Sequence, residues 1–190
     1  MNRKKYGFVF CLLVVIAMIS LGTVSIYVNH EEKKEATEQL RVVTSFYPMY
    51  VAAMNVTDSC ESVTLENLSE PQTGCLHDYQ LTPEDMVLLS KADVFIINGG
   101  GIENFLSEVA SRYPNLTIIE AGEGIEMSGE NAHLWMDTEK YQKQVQNIAK
   151  GLSEVDETNK KIYQKNADGA DVFLFNYKGQ AVGVFLSYTE

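Results

Sequence analysis

DVFIINGGGIENFLSEVASRYPNLTIIEA, residues 93–121, decides the architecture. Val94 to Ile97 form a continuous apolar run, the pattern of a strand buried on both faces. Gly99, Gly100 and Gly101 end it. Phe105, Val109 and Tyr113 then recur at intervals of four, which puts one apolar face on a helix. LTIIEA, 116–121, is a second apolar strand. Strand, helix and strand in this order, with uniformly apolar strands, is the repeating unit of a parallel sheet covered by helices on both faces. The NGGG at 98–101 lacks the spacing of a dinucleotide fingerprint, and no Walker lysine follows it. It reads as a tight strand-to-helix turn.

Upstream, Thr82 is placed as an N-cap, with Pro83 in the first helical position and Asp85 three residues after the cap. Met86, Leu89 and Ala92 share one face of the helix that follows. ESVTLENL, 61–68, and RVVTSF, 41–46, read as two earlier strands, joined by a short helix over YPMYVAAMNV with Pro48 in its first turn. Downstream, a glycine-rich loop leads to a helix from Asp137 to about Glu154, where Tyr141, Val145, Ile148 and Leu152 form a one-sided apolar stripe. Another helix, capped near Asp156, stops at Gly169. The expected fold is therefore α/β, a parallel four-stranded sheet flanked by helices. Residues 169–190 change character: two apolar, β-leaning runs flank a turn-like YKGQ and fit a hairpin.

The amino terminus is different again. MNRKK is basic, and residues 6–28 carry no charge. As a helix, these 23 residues are long enough to cross the roughly 30 Å hydrocarbon core of a bilayer. Arg3, Lys4 and Lys5 would stay in the cytoplasm and the remainder would lie outside. The expected organisation is a signal peptide or membrane anchor over 1–28, a polar linker over 29–40, one lobe over 41–168 and an atypical tail over 169–190. Beyond residue 28 stand 12 Lys and Arg against 26 Asp and Glu, a net charge of −14. No basic patch is available to neutralise phosphates, so nucleic-acid binding is excluded.

Two histidines lie in loops after strands: His77 in GCLHDYQLTPEDM, 74–86, and His133 in ENAHLWMD, 130–137. The third, His30, falls in the linker. In open parallel sheets, ligands bind beyond the carboxyl ends of the strands. His77 follows the second strand and His133 the fourth, so both belong to the same edge of the sheet despite lying 56 positions apart. Neutral imidazole is a ligand for zinc, manganese and iron, and two imidazoles make half of a tetrahedral set. Cys60 and Cys75 fit a disulfide in an extracytoplasmic compartment. Closing a ring of about 15 residues stabilises by about 3 kcal/mol in the chain-entropy picture. The competing use of Cys75 is as a zinc ligand beside His77, without a C-x-x-C partner.

From Arg41 to about Asp168 the chain resembles the substrate-binding proteins of bacterial zinc and manganese ABC transporters. RVVTSFYPMYVAAMNV is similar to that family's first strand and helix. HDYQLTPEDMVLLSKADVFIING resembles its first histidine loop with the helix and strand that follow. NAHLWMDTEKYQKQVQNIAKGLSEVDETNKKIYQKNAD resembles its second histidine motif and the start of the helix joining its two lobes. The resemblance implies extracytoplasmic capture of a divalent metal ion, Zn2+ or Mn2+, for delivery to an ABC permease, with His77 and His133 as the ligands of the amino-terminal lobe. It also implies a second lobe with two further ligands. No histidine follows His133, and the expectation is a chain lacking that lobe. An enzyme reading needs a third ligand and a base; Glu70, Asp78 and Glu130 are the carboxylates at hand, and no H-E-x-x-H is present. The remaining alternatives are a membrane-anchored surface or adhesion protein and a non-functional remnant.

Overall fold

The computed structural model describes residues 14, 16–20, 22–23, 39–69, 76–129, 131–177 and 180–188, with no side-chain description for His77 or for 171–190. The chain divides into two units, 1–38 and 39–190. In the first, the described positions are helical and exposed. Among the described residues no helix is long and apolar enough to cross a membrane. Most of the 6–28 segment expected to be a signal or anchor lies outside the described residues.

The second unit is built on four parallel strands: β1 (Leu40–Thr44), β2 (Val63–Asn67), β3 (Val94–Ile97) and β4 (Thr117–Glu120), in the order β2-β1-β3-β4. Val42 stands opposite Leu65 on one side and Val94 on the other, and Phe95 stands opposite Ile118. The helices are α1 (Tyr47–Val56), α2 (Pro83–Leu89), α3 (Leu106–Arg112), α4 (Thr138–Val155) and α5 (Lys160–Asp168). Side chains alternate across the sheet. Val42, Val94, Ile96 and Ile119 pack with Met49, Ala53, Val145, Ile148, Leu152 and Tyr163 of α1, α4 and α5. Val43, Phe95 and Ile97 pack with Leu89, Phe105 and Val109 beside α2 and α3. Both faces are covered, which is why the strands read as unbroken apolar runs. The chain steps one way from β1 to β2 and the other way from β2 through β3 to β4. Crossovers of a single hand then require α1 on one face and α2 and α3 on the other.

Local chemistry sets the helix starts. Thr82 and Asp85 form a reciprocal capping box, with Pro83 in the first turn. Asp137 accepts the N–H groups of Glu139 and Lys140. Asp156 caps differently from the expectation. Its carboxylate takes the N–H groups of Thr158 and Asn159 in the turn before α5, which begins only at Lys160. Tyr163 and Asn159 side chains also donate to Asp156. Burial opposes ionisation there, but these four bonds outweigh it and hold the carboxyl below its ordinary value.

After Gly169 the tail forms an antiparallel pair, β5 (Ala170–Tyr177) and β6 (Gln180–Tyr188), as the two apolar runs predict. The connecting residues 178–179 lie outside the described set. β5 runs beside α4, and β6 beside α1 and the 3-10 turn Leu134–Met136.

Candidate metal centre

At the carboxyl ends of β1 and β3 the chain departs in opposite directions, the position where open α/β sheets bind ligands. Polar groups are buried at this seam: Thr44, Ser45, Asn98 and Glu103. The Glu103 carboxylate accepts from the Ser45 hydroxyl at 2.9 Å, the Asn98 N–H at 2.8 Å and the Gly99 N–H at 3.1 Å. One side chain thus joins the ends of two strands. Burial pushes the Glu103 carboxyl up, against the pull of those three donors.

The glycine turn shapes what sits above it. Gly99, Gly100 and Gly101 all have positive φ. A Cβ on Gly99 would overlap the Glu120 carboxylate, and one on Gly100 would lie 2.8 Å from Ala132 Cβ and from Met127 Sδ. The NGGG stretch is therefore a strand-to-helix turn, as expected, and its bare backbone is the floor under the His133 loop.

His133 is the central residue of an inverse γ-turn. Its φ and ψ are −77° and 56°, and the Leu134 N–H donates to Ala132 O at 2.8 Å. Asn131 Oδ1 accepts the His133 backbone N–H at 3.1 Å and lies 2.7 Å from Nδ1 of the ring. A backbone N–H only donates, so the Asn131 atom facing it is the oxygen. The ring nitrogen beside that oxygen must then carry the proton, which makes Nε2 the lone-pair nitrogen. Orientation through the other ring nitrogen is the way metal-binding histidines are ordinarily held. Trp135 flanks the imidazole at 5.0 Å between ring centres and itself meets Phe46 edge-on at 4.8 Å.

His77 lies in the 3-10 turn Leu76–Asp78, which follows β2; its side chain is outside what the structure describes. Leu76, the residue before it, is fully buried. Tyr79, two residues after it, donates its hydroxyl to Asp85 Oδ2 at 2.9 Å. The same oxygen caps α2 through the Thr82 N–H at 2.8 Å. Leu76 and Ala132, the immediate predecessors of His77 and His133, share one core cluster with Phe46 and Met49. Asp78 is exposed, whereas Glu70 and Glu130 lie outside the described residues. Among the described residues no three His, Cys, Asp or Glu side chains gather as a metal site.

Cys60 is a buried, free thiol whose ionisation is pushed up by burial first, then by Asp156 and Asp58. Its expected partner, Cys75, is outside the described residues. Residue types alone give no sign of Asn98, Glu103 and Asn131 as supports. The one legible signal was Asp85 in its capping position.

Comparison with known proteins agrees with this fold. Residues 42–172 match the family model ZnuA, "zinc-uptake complex component A periplasmic". The manganese-binding lipoprotein MntA of Halalkalibacterium halodurans is 30% identical over 172 residues, covering 87% of this chain and 55% of that protein. The high-affinity zinc uptake system protein ZnuA of Bacillus subtilis is 27% identical over 151 residues, covering 68% of this chain and 46% of that one. A Zn(II)-bound variant of AdcAII from Streptococcus pneumoniae superposes with a TM-score of 0.60 at 28% identity, covering 68% of this chain and 51% of that one. The chain spans about half the length of the curated relatives it matches.

Proposed function

This chain belongs to the family of zinc-uptake complex component A, and from that premise we propose that it captures a divalent transition metal outside the cytoplasm for an ABC transporter. Zinc is the first choice of cargo and manganese the second. Imidazole serves either ion, and relatives named for each are similar to this chain. His133 offers Nε2, and His77 is the second ligand. The observation that carries this reading is the treatment of His133, whose ring tautomer is set by Asn131 and whose backbone is held in one tight turn at the ligand-binding edge.

Two imidazoles fill half of a tetrahedral shell, so the remaining donors come from water or from a further protein segment. Residues 6–28 carry the lobe to the membrane, as anchor or cleaved signal, leaving it extracytoplasmic. The Cys60 thiol, free in this structure, would pair with Cys75 in that oxidising compartment. Maleimide labelling of the denatured chain, with and without reductant, is expected to show one fewer reactive thiol pair before reduction.

The decisive experiment is a calorimetric titration of the full chain with zinc and manganese, beside the His77→Ala, His133→Ala double variant. Binding at least a hundredfold weaker in the double variant is expected. Equal binding in both proteins rejects this site.

A further inference from the structure

The geometry points to Asn98 as the positioning residue for His133, acting through the carbonyl that closes its γ-turn. This rests on the metal-capture reading for its consequence, though not for its geometry. Asn98 is fully buried at the end of β3, and every polar atom it has is engaged. Its N–H goes to Glu103 Oε1 and its C=O accepts the Gly122 N–H at 2.9 Å. Its side-chain Nδ2 donates to Gly99 O and to Ala132 O, both at 2.9 Å. Its Oδ1 accepts from Gln144 Nε2 of α4 at 2.8 Å.

Ala132 O is the acceptor that the Leu134 N–H uses to close the turn around His133. The Asn98 amide therefore grips the one carbonyl that defines the turn's geometry. The Gly99 and Ala132 carbonyls fix which way that amide faces: a carbonyl only accepts, so Nδ2 points to them, the Asn98 oxygen faces α4, and Gln144 must present its Nε2 to it. The turn is also closed in sterically. A Cβ on Gly122 would lie 2.8 Å from Leu134 Cδ1, and one on Gly100 would lie 2.8 Å from Ala132 Cβ. Three strand ends and a helix thus converge on Asn98, and its single outward link leads to the residue before His133. An imidazole on a loop depends on its turn for its position, and a displacement of about 1 Å is enough to spoil ligand geometry.

Asn98→Asp keeps the shape and the acceptor for Gln144 but replaces the donor to Ala132 O with an oxygen. Zinc affinity of the full chain is expected to fall ten- to a hundredfold, the usual cost of losing a group that orients a metal ligand. In a His133→Ala background the same change is expected to cost less than twofold, because nothing remains to position. An equal loss in both backgrounds overturns the proposal and makes Asn98 a structural residue only. Ser153→Ala, which removes a buried hydroxyl bonded to Ala149 O on α4, serves as the control for general destabilisation and should leave affinity unchanged. If Asn98→Asp does not fold, Gln144→Met tests the same chain of bonds by removing the donor to Asn98 Oδ1, with a smaller loss in the same direction.

Should the parent chain show no saturable zinc binding, metal capture fails, and the positioning role is judged on the apo protein. Imidazole nitrogen shifts of His133 should move from a single Nδ1–H tautomer toward averaging in Asn98→Asp, with faster exchange of the Leu134 amide. Unchanged shifts and exchange overturn it.

Discussion

The two histidine arms are secured in opposite ways. The His77 arm is held locally: Tyr79 reaches Asp85 six residues on, and Asp85 belongs to the capping box of the next helix. The His133 arm is held at long range, with Asn98 bridging 34 residues to Ala132 and Gln144 bridging 46 residues back to Asn98. A local polar anchor forms with its helix. A long-range anchor exists only once β3, β4 and α4 have assembled. The first arm should therefore survive perturbations of the core that release the second.

Gly100→Val is the strongest way to break that contrast. It places a β-branched residue at φ 65° and drives its Cβ into Ala132 and Met127. Strain and overlap together should cost about 3 kcal/mol or more in urea unfolding. Hydrogen exchange should quicken at Leu134 and leave Tyr79 N–H, bonded to Leu76 O, protected. Loss at both sites would show that the arms are a single cooperative unit. Asp85→Ala is the reverse experiment. It deletes a helix cap and the partner of a half-buried phenol, about 2 kcal/mol together. The amides of 79–86 should lose protection while Leu134 keeps its own.

The same contrast explains what could be read from the sequence. The strands were legible because both faces of the sheet are covered, which leaves no polar alternation in VFII or TIIE to confuse the pattern. Thr82, Pro83 and Asp85 announced α2, because a capping box is confined to four consecutive residues. The strand order was not legible, since apolar strands carry no address for their neighbours. Nor was the start of α5. Asp156 looks like a cap and does receive N–H groups, but the turn it caps precedes the helix by a full turn of chain. Asn98 and Gln144 were silent for the same reason as the strand order. Their partners lie on other elements, and a buried amide in a sequence is indistinguishable from an exposed one.

Acidity probes the long-range arm more gently. Glu103 underlies the β1–β3 seam, and burial raises its carboxyl above the ordinary value. Between the ordinary value and that raised value, the folded protein holds a proton that the unfolded chain has released. The contribution is complete below the ordinary value and is lost as pH rises through the raised one. Stability should fall with rising pH across that window, by at most about 1.4 kcal/mol per pH unit for one proton. Denaturation of Glu103→Gln over the same range should be flat in this term; an unchanged slope would assign it elsewhere.

The smallest effect on stability falls on Asn131, beside the His133 ring. Asn131 is exposed, and among the described residues its carbonyl oxygen serves the His133 N–H and Nδ1. Asn131→Ala should cost about 0.5 kcal/mol, as expected for a surface position away from the core. Its effect on the ring is larger than its effect on the fold. Without that oxygen the imidazole loses the partner that keeps the proton on Nδ1, and the two tautomers exchange. Nitrogen chemical shifts of His133 should move toward the average of protonated and unprotonated values, while unfolding curves overlay those of the parent. Asn131→Asp should do the opposite, since a carboxylate accepts from Nδ1–H more strongly and raises the basicity of Nε2. If Asn131→Ala leaves the ring in one tautomer, the long-range clamp at Ala132 is sufficient to define His133. The local contact would then be a consequence of the turn and not a cause of it.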